Sequence, residues 1–352
     1  MAYSTISKPS DYFNTKLYTG NSTDNHAITG VNFQPDLVWI KRRNQAANHN
    51  LFDAVRGATK TIKSNLTNAE ATVADTLKSF DSDGFTLGDD ATVGEVNPNT
   101  YTMASWNWLG ANGTASNTDG SITSTVSANT TSGFSIVSYT GNATDGATVG
   151  HGLGAVPDML IGKDLSDGSG WGIWHKDLTN AGYKLSFTTD AQADDSALFG
   201  GSSRTAPTSS VFTLGSGGGL NGSNANIIYA FTSIKGFSKF GSYTGNGNAN
   251  GTFVYTGFKP AFVMIKHTNG TSNWTINDTG RDPTNVNNLR LFPNQNVAES
   301  SGSDSMDMLS NGFKFRSTDG GNNGSGDTYI FMAFAAEPLV ANVSSSIPAT
   351  AR

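Results

Sequence analysis

The chain of 352 residues contains no cysteine. Disulfide staples, thiolate metal sites and cysteine nucleophiles are therefore excluded, and stability must come from burial and backbone hydrogen bonding. Charge is scarce too, with Asp, Glu, Lys and Arg making up 14% of residues against a usual ~25%. The formal net charge is −6 and no basic stripe is present, so the electrostatic footprint of a nucleic-acid binder is missing. No apolar run approaches the ~20 residues of a membrane-spanning helix. The opening MAYSTISKPSDYFN lacks the basic and apolar regions of a secretory signal. The expectation is a protein made in a cytoplasm and not inserted into a membrane. Motifs of the H-E-x-x-H, G-x-S-x-G and Walker types are absent as well.

What is abundant is glycine, at 41 residues, together with Asn, Ser and Thr. These residues are poor helix formers and good turn formers. The 20 Phe, 10 Tyr and 6 Trp supply core material, so the chain reads as many short strands rather than as disorder.

One stretch is written three times. YTGNSTDNHAITGVNFQPDLVWIK from Tyr18 to Lys41 returns from Tyr139 to Lys163 and from Tyr243 to Lys266. The Tyr-to-Pro offsets are 17, 18 and 17 residues, ending at Pro35, Pro157 and Pro260, and each Pro precedes its Lys by 6. Spacing this regular marks a duplicated structural unit. The units run over 13–110, 134–236 and 237–338. A lead-in of 1–12 precedes them, an apolar-poor linker spans 111–133, and a tail covers 339–352. Within each unit, about seven short strands separated by Gly, Asn and Asp turns predict a jelly-roll-like antiparallel β-sandwich. The apolar run Asp36–Ile40 reads as a strand buried on both faces. Residues 68–80 are the most helix-friendly stretch and predict a helical turn or two. Ser121–Ser127 alternates weakly, as a segment lying along a sheet edge would. Lys41, Lys163 and Lys266 read as strand-end residues reaching solvent. The closing strands share an aromatic–Ala pattern that aligns Trp106 with Phe231 and Phe334.

Candidate chemistry is thin. His26, His49, His151, His175 and His267 do not recur at matching places, so solvated or locally bonded histidines are expected rather than ligands. Gly150-His151-Gly152-Leu153-Gly154 is followed by a strand through Pro157, which favours a turn over a phosphate loop. Asp81–Gly84 and Asp164–Gly170 resemble the start of a calcium loop but lack its distal Glu. Trp171 and Trp174 are three apart and would point to opposite faces of a strand. One of them could be a platform for stacking on a sugar. No catalytic residue, metal or cofactor is expected.

The runs KPSDYFNTKLYTGN, FQPDLVWIK, LFDAVRG, SFDSDGFTLG and DGSITSTVSANTTSGFSIVSYTGN resemble a repeat family of unknown function. It is found in virion and tail-fibre-like proteins of marine bacteriophages, of the cyanophage and pelagiphage kind. The resemblance is strongest over residues 8–163. It implies a non-enzymatic virion surface protein: a tail-fibre or head-fibre component, or a capsid decoration protein. Such a protein is assembled in the host cytoplasm and exposed on the particle. Its expected partners are other virion proteins and host surface polysaccharide, and it is expected to be a homo-oligomer in the particle. The alternatives are a lectin-like receptor-binding module and a tailspike-type depolymerase, the latter needing paired carboxylates across a groove. The three units could pack about a pseudo-threefold axis or string out as an arm that trimerises.

Overall fold

Turns rich in Gly, Asn and Ser cut the chain into short strands throughout residues 4–338, the part that the computed structural model describes. The first unit holds β1 (Phe13–Thr19), β2 (His26–Thr29), β3 (Leu37–Arg42), β4 (Asn50–Asp53), β5 (Lys60–Thr61), β6 (Ala71–Thr72), β7 (Leu77–Asp81), β8 (Gly84–Leu87) and β9 (Thr102–Trp108). Then follow β10 (Ala115–Asn117), β11 (Ser124–Asn129), β12 (Phe134–Thr140), β13 (Thr148–Gly150), β14 (Met159–Asp164), β15 (Gly172–His175), β16 (Tyr183–Lys184), β17 (Ala193–Asp194), β18 (Val211–Thr213) and β19 (Ala225–Phe231). The last unit holds β20 (Ser238–Thr244), β21 (Phe253–Tyr255), β22 (Phe258–His267), β23 (Thr275–Asp278), β24 (Asn287–Arg290), β25 (Ser300–Leu309), β26 (Gly312–Phe315) and β27 (Thr328–Pro338). Among the described residues, helix is confined to a 3₁₀ turn at Pro9–Asp11 and the four-residue α1 (Gly218–Asn221). The protein is all-β and its strand ladders are antiparallel.

Each unit builds an inner sheet of the same order. These are β1-β9-β3-β4, β12-β19-β14-β15 and β20-β27-β22-β23. A second, outer layer contains β2-β8-β7, β13-β18 and β21-β26-β25-β24 respectively. All six residues of β3 are buried, as its apolar run requires of a strand covered on both faces. One face of each inner sheet packs on its own outer layer: Val38, Ile40 and Phe85 in the first unit, Leu160 and Phe212 in the second, Val263 and Phe313 in the third. The opposite faces of all three meet in one shared central core.

Register fixes the correspondence between units. Leu37 lies opposite Trp108, Met159 opposite Phe231, and Phe262 opposite Phe334. Trp108, not Trp106, therefore matches Phe231 and Phe334. Trp106 matches Tyr229 and Met332, and the aromatic–Ala text of the closing strands aligns the copies two residues out of step. The rings of Trp108, Phe231 and Phe334 form a triangle with centroid separations of 6.4, 6.2 and 5.8 Å. That triangle marks a pseudo-threefold axis.

The units also grip one another in a cycle. Glu70 N–H donates to Leu165 C=O (2.9 Å), Gln192 to Thr268 (2.8 Å) and Glu299 to Arg43 (2.6 Å). First holds second, second holds third, and third returns to first. The units form a closed ring rather than a strung arm.

Two local expectations are revised. Residues 68–80 are not helical, since Ala71–Thr72 pairs with β5 and Leu77–Asp81 with β8. The buried Leu77 side chain is fixed in the first unit's core, and tertiary pairing overrides a weak local propensity. The stretch 111–133 carries β10 and β11, and β11 pairs along the edge of β12. The tail 339–352 and residues 1–3 lie outside the described part.

Candidate functional site

Ionisable residues are most densely buried where one unit meets the next. On β4, Asp53 lies opposite Leu37; His175 and Asp278 occupy the same place on β15 and β23. Asp53 accepts from Arg56 Nε at 2.5 Å and from the Tyr229 hydroxyl of the second unit at 2.8 Å. Arg56 also reaches Glu70 Oε2 (3.2 Å) and Leu51 C=O (3.0 Å). The third unit repeats this constellation against the first. Asp278 accepts from Arg281 Nε (2.5 Å) and from Trp106 Nε1 (3.1 Å), and Arg281 continues to Glu299 (2.8 Å) and Ile276 C=O (2.9 Å). Burial alone would raise the Glu299 carboxyl, but hydrogen bonds and charge from Arg43 and Arg281 hold it below the usual range.

At the remaining junction, His175, Leu178 and Gln192 stand in place of Asp, Arg and Glu. The His175 imidazole is held neutral, its pKa lowered to about 3 by burial and by the Lys176 charge. The sequence carries a direct signal for these sites. An Asp three residues before an Arg occurs in both LFDAVRG and TINDTGR, and IWHKDL departs from it.

Lys41, Lys163 and Lys266 are buried rather than solvated. Pleat alternation puts them on the same face as Leu37 and Trp39, Met159 and Ile161, and Phe262 and Met264, which is the central face. They donate to carbonyls: Lys41 to Arg42 (2.8 Å), Lys163 to Asp164 (2.5 Å), Lys266 to Ser272 (2.8 Å) and to Thr189 of the second unit (3.1 Å). Burial pushes Lys41 down to about 7, with help from the Arg42 charge, and pushes Lys266 down to about 8. An unfolded lysine keeps its proton up to pH ~10.4. Between pH 7 and that value the unfolded chain binds more protons than the folded one, so stability is expected to rise with pH. A higher urea midpoint at pH 9.5 than at pH 7 checks this, and Lys41→Met should flatten the rise.

Both tryptophans proposed for sugar stacking are interior. Trp171 is 3% exposed and Trp174 5%. They do face opposite ways, but the inner sheet is covered on both sides. Trp171 enters the central core and donates Nε1 to Lys63 C=O at 3.0 Å. Trp274 Nε1 repeats this bond to Ser186 C=O at 2.8 Å. Trp174 packs in the second unit's own core. Neither ring offers a face to a ligand.

The histidines are likewise structural. His49 and His151 are buried; Trp39 Nε1 donates to His49 Nδ1 at 2.9 Å, and His151 Nε2 lies 3.1 Å from Thr208 C=O. His26 Nδ1 lies 2.7 Å from Asn97 Oδ1, and His267 Nε2 lies 3.0 Å from Asn269 Oδ1. Asp83, in the first calcium-like turn, accepts from the amides of Gly30 and Asn32. Asp167, in the second, accepts from Ser169 N–H. Among the described residues, no group of three or more His, Asp or Glu converges as metal ligands would.

A surface groove runs along β20 between the second and third units. Three hollows adjoin there: the middle one, of about 480 Å³, shares Lys176 and Lys239 with one of about 560 Å³ and Asp177 and Ser242 with one of about 430 Å³. Phe253 and Tyr255, two apart on β21, stand at its rim, 43% and 48% exposed. The sequence gives no hint of them, because an alternating Phe-Val-Tyr reads as ordinary strand.

The model of a domain of unknown function, DUF7483, matches residues 8–338. The chain belongs to this family. A single DUF7483 match spans all three units, in keeping with one shared core. No curated protein matches, and no solved structure matches.

Proposed function

We propose that this DUF7483 chain is a non-enzymatic structural protein of a bacteriophage particle surface, built from three jelly-roll-like sandwiches fused into a single-chain pseudo-trimer. The observation that carries this reading is the closed ring. The buried Asp, Arg and Glu side chains bond across unit boundaries, where they hold the body together instead of facing a substrate. The YTGN and LFDAVRG text, with its likeness to marine phage virion repeats, points the same way. A compact ring fits a surface accessory, a decoration protein or a short fibre component, better than a long shaft. Contact with host polysaccharide, if made by this molecule, falls to its exposed loops, since Trp171 and Trp174 are unavailable. Immunogold labelling of purified particles with antibody against the full chain tests the proposal. Surface decoration is the expected result. Absence of the chain from washed particles, or release of reducing ends from host polysaccharide by the purified protein, overturns it.

A further inference from the structure

The pseudo-threefold axis allows three equivalent edges to be compared within one molecule. In the second unit, the outward edge of β12 is covered. Strand β11 pairs with it, Thr125 opposite Ser138 and Ser127 opposite Ile136. The same segment reaches onto the outer layer. Ile122 N–H donates to Thr148 C=O (2.9 Å), and Ser124 Oγ to Gly150 C=O (2.7 Å).

In the third unit no strand among the described residues covers the corresponding surface. β20 ends its sheet. Its residues facing β27 are fixed by Ala335 N–H donating to Phe237 C=O and Gly245 N–H to Asp327 C=O. Ser238, Phe240, Ser242 and Thr244 therefore turn their backbone groups outward, into the groove. Phe240 N–H bonds Ser233 Oγ and Thr244 C=O accepts from Thr252 Oγ1, which leaves the middle of the edge, at Ser242, open among the described residues. Ser242 matches Ser138, the residue that faces Thr125 of β11. The residues matching Thr148 and Gly150 are the exposed Phe253 and Tyr255. The acceptor that Ser124 uses on Gly150 corresponds to Tyr255 C=O, here held by Lys239 Nζ at 2.6 Å. The first unit's edge, β1, is also terminal in its sheet, but Ala27 and Thr29 stand where the aromatic pair is.

We propose that the β20 groove is a strand-addition site. It accepts an extended polypeptide segment from another chain, of the β11 pattern in which small hydroxyl residues alternate with aliphatic ones. Backbone pairing at Ser242 supplies register and the Phe253–Tyr255 rim supplies apolar burial. An uncovered edge beside exposed aromatic rings is a surface that monomeric proteins usually protect. The same fold closes it with a strand one unit earlier, which argues for a peptide over a sugar.

The test uses the full chain and a dye-labelled synthetic peptide of the sequence ASNTDGSITSTVSAN, residues 115–129, read by fluorescence anisotropy. Saturable binding is expected. It should weaken roughly tenfold or more when alternate peptide amides are N-methylated, since each lost backbone hydrogen bond costs up to about 1.5 kcal/mol. Ser242→Pro, which removes an outward N–H unused by the fold, should weaken binding similarly. Phe253→Ala with Tyr255→Ala should weaken it as well. Should Ser242→Pro fail to fold, the N-methylated peptide on the unaltered chain decides alone. No saturable binding, or binding indifferent to N-methylation, overturns the proposal. So does oligosaccharide binding that is lost with Tyr255→Ala and kept with Ser242→Pro, which would make the groove a sugar site.

Discussion

Arg281→Ala is expected to lower stability by about 3–5 kcal/mol, read as a fall in the urea unfolding midpoint at pH 7. The guanidinium is wholly buried and bridges Asp278, Glu299 and the Ile276 carbonyl. Removing it leaves two carboxylates close together, one of them fully enclosed, answered by Trp106 Nε1, the backbone N–H of residue 281 and Arg43 but no longer by the charge between them. The molecule supplies its own control. At the junction of the second and third units the same positions are His175, Leu178, Gln192 and Met332, and the sheets still close. Transplanting that solution as Asp278→His, Arg281→Leu, Glu299→Gln and Trp106→Met should recover most of the loss, because replacing a whole buried ionic cluster is far cheaper than orphaning part of it. If the quadruple variant were no more stable than Arg281→Ala alone, the cluster would be contributing something beyond mutual neutralisation.

Phe231→Ala is expected to cost about 3–5 kcal/mol as well, by opening a cavity on the pseudo-threefold axis. Phe231 touches Trp108 of the first unit, Phe134 and Phe240 on either side, and Phe334 of the third. Its loss should therefore destabilise all three units together. Unfolding followed by tryptophan fluorescence should show one transition shifted to lower urea, because five of the six tryptophans, including Trp108 and Trp274, lie in the shared central core. A second transition confined to the second unit would mean that the units fold independently and the central core is a docking surface only.

Much of this architecture could be read from the repeated text. Tyr18, Tyr139 and Tyr243 and the Pro-to-Lys spacing pointed to a threefold repeat, which the recurring strand order of the three inner sheets carries, and the apolar run at Asp36–Ile40 pointed to the fully buried β3. Periodicity could not say which inner face met which. An apolar face reads alike whether it packs within a sandwich or on an axis shared by three, and for that reason the lysines were misplaced. Lys41 sits at the end of an apolar run, where solvent is the usual neighbour. It is buried because the third unit's loop at Asn296 closes over it, a contact 255 residues distant in the chain. Trp171 and Trp174 misled for a related reason: strand parity correctly separated their faces, but exposure of either face depended on sheets contributed from elsewhere. The Asp–x–x–Arg pairs were legible and carried no meaning until the partner units were in place. Phe253 and Tyr255 were invisible because their exposure results from an omission: among the described residues, the third unit lacks the strand that β11 supplies to the second.

Covalent fusion also changes what symmetry can do. In a trimer of identical chains every edge is triplicated, so any change made to one is made to all. Here the three edges differ: among the described residues one is sealed by β11, one ends at β1 beside Ala27 and Thr29, and one is edged with Phe253 and Tyr255. The molecule keeps the mechanical closure of a trimer while having a front and a back. Anything that recognises the aromatic side would meet it once per molecule, with a stoichiometry of one and a defined orientation.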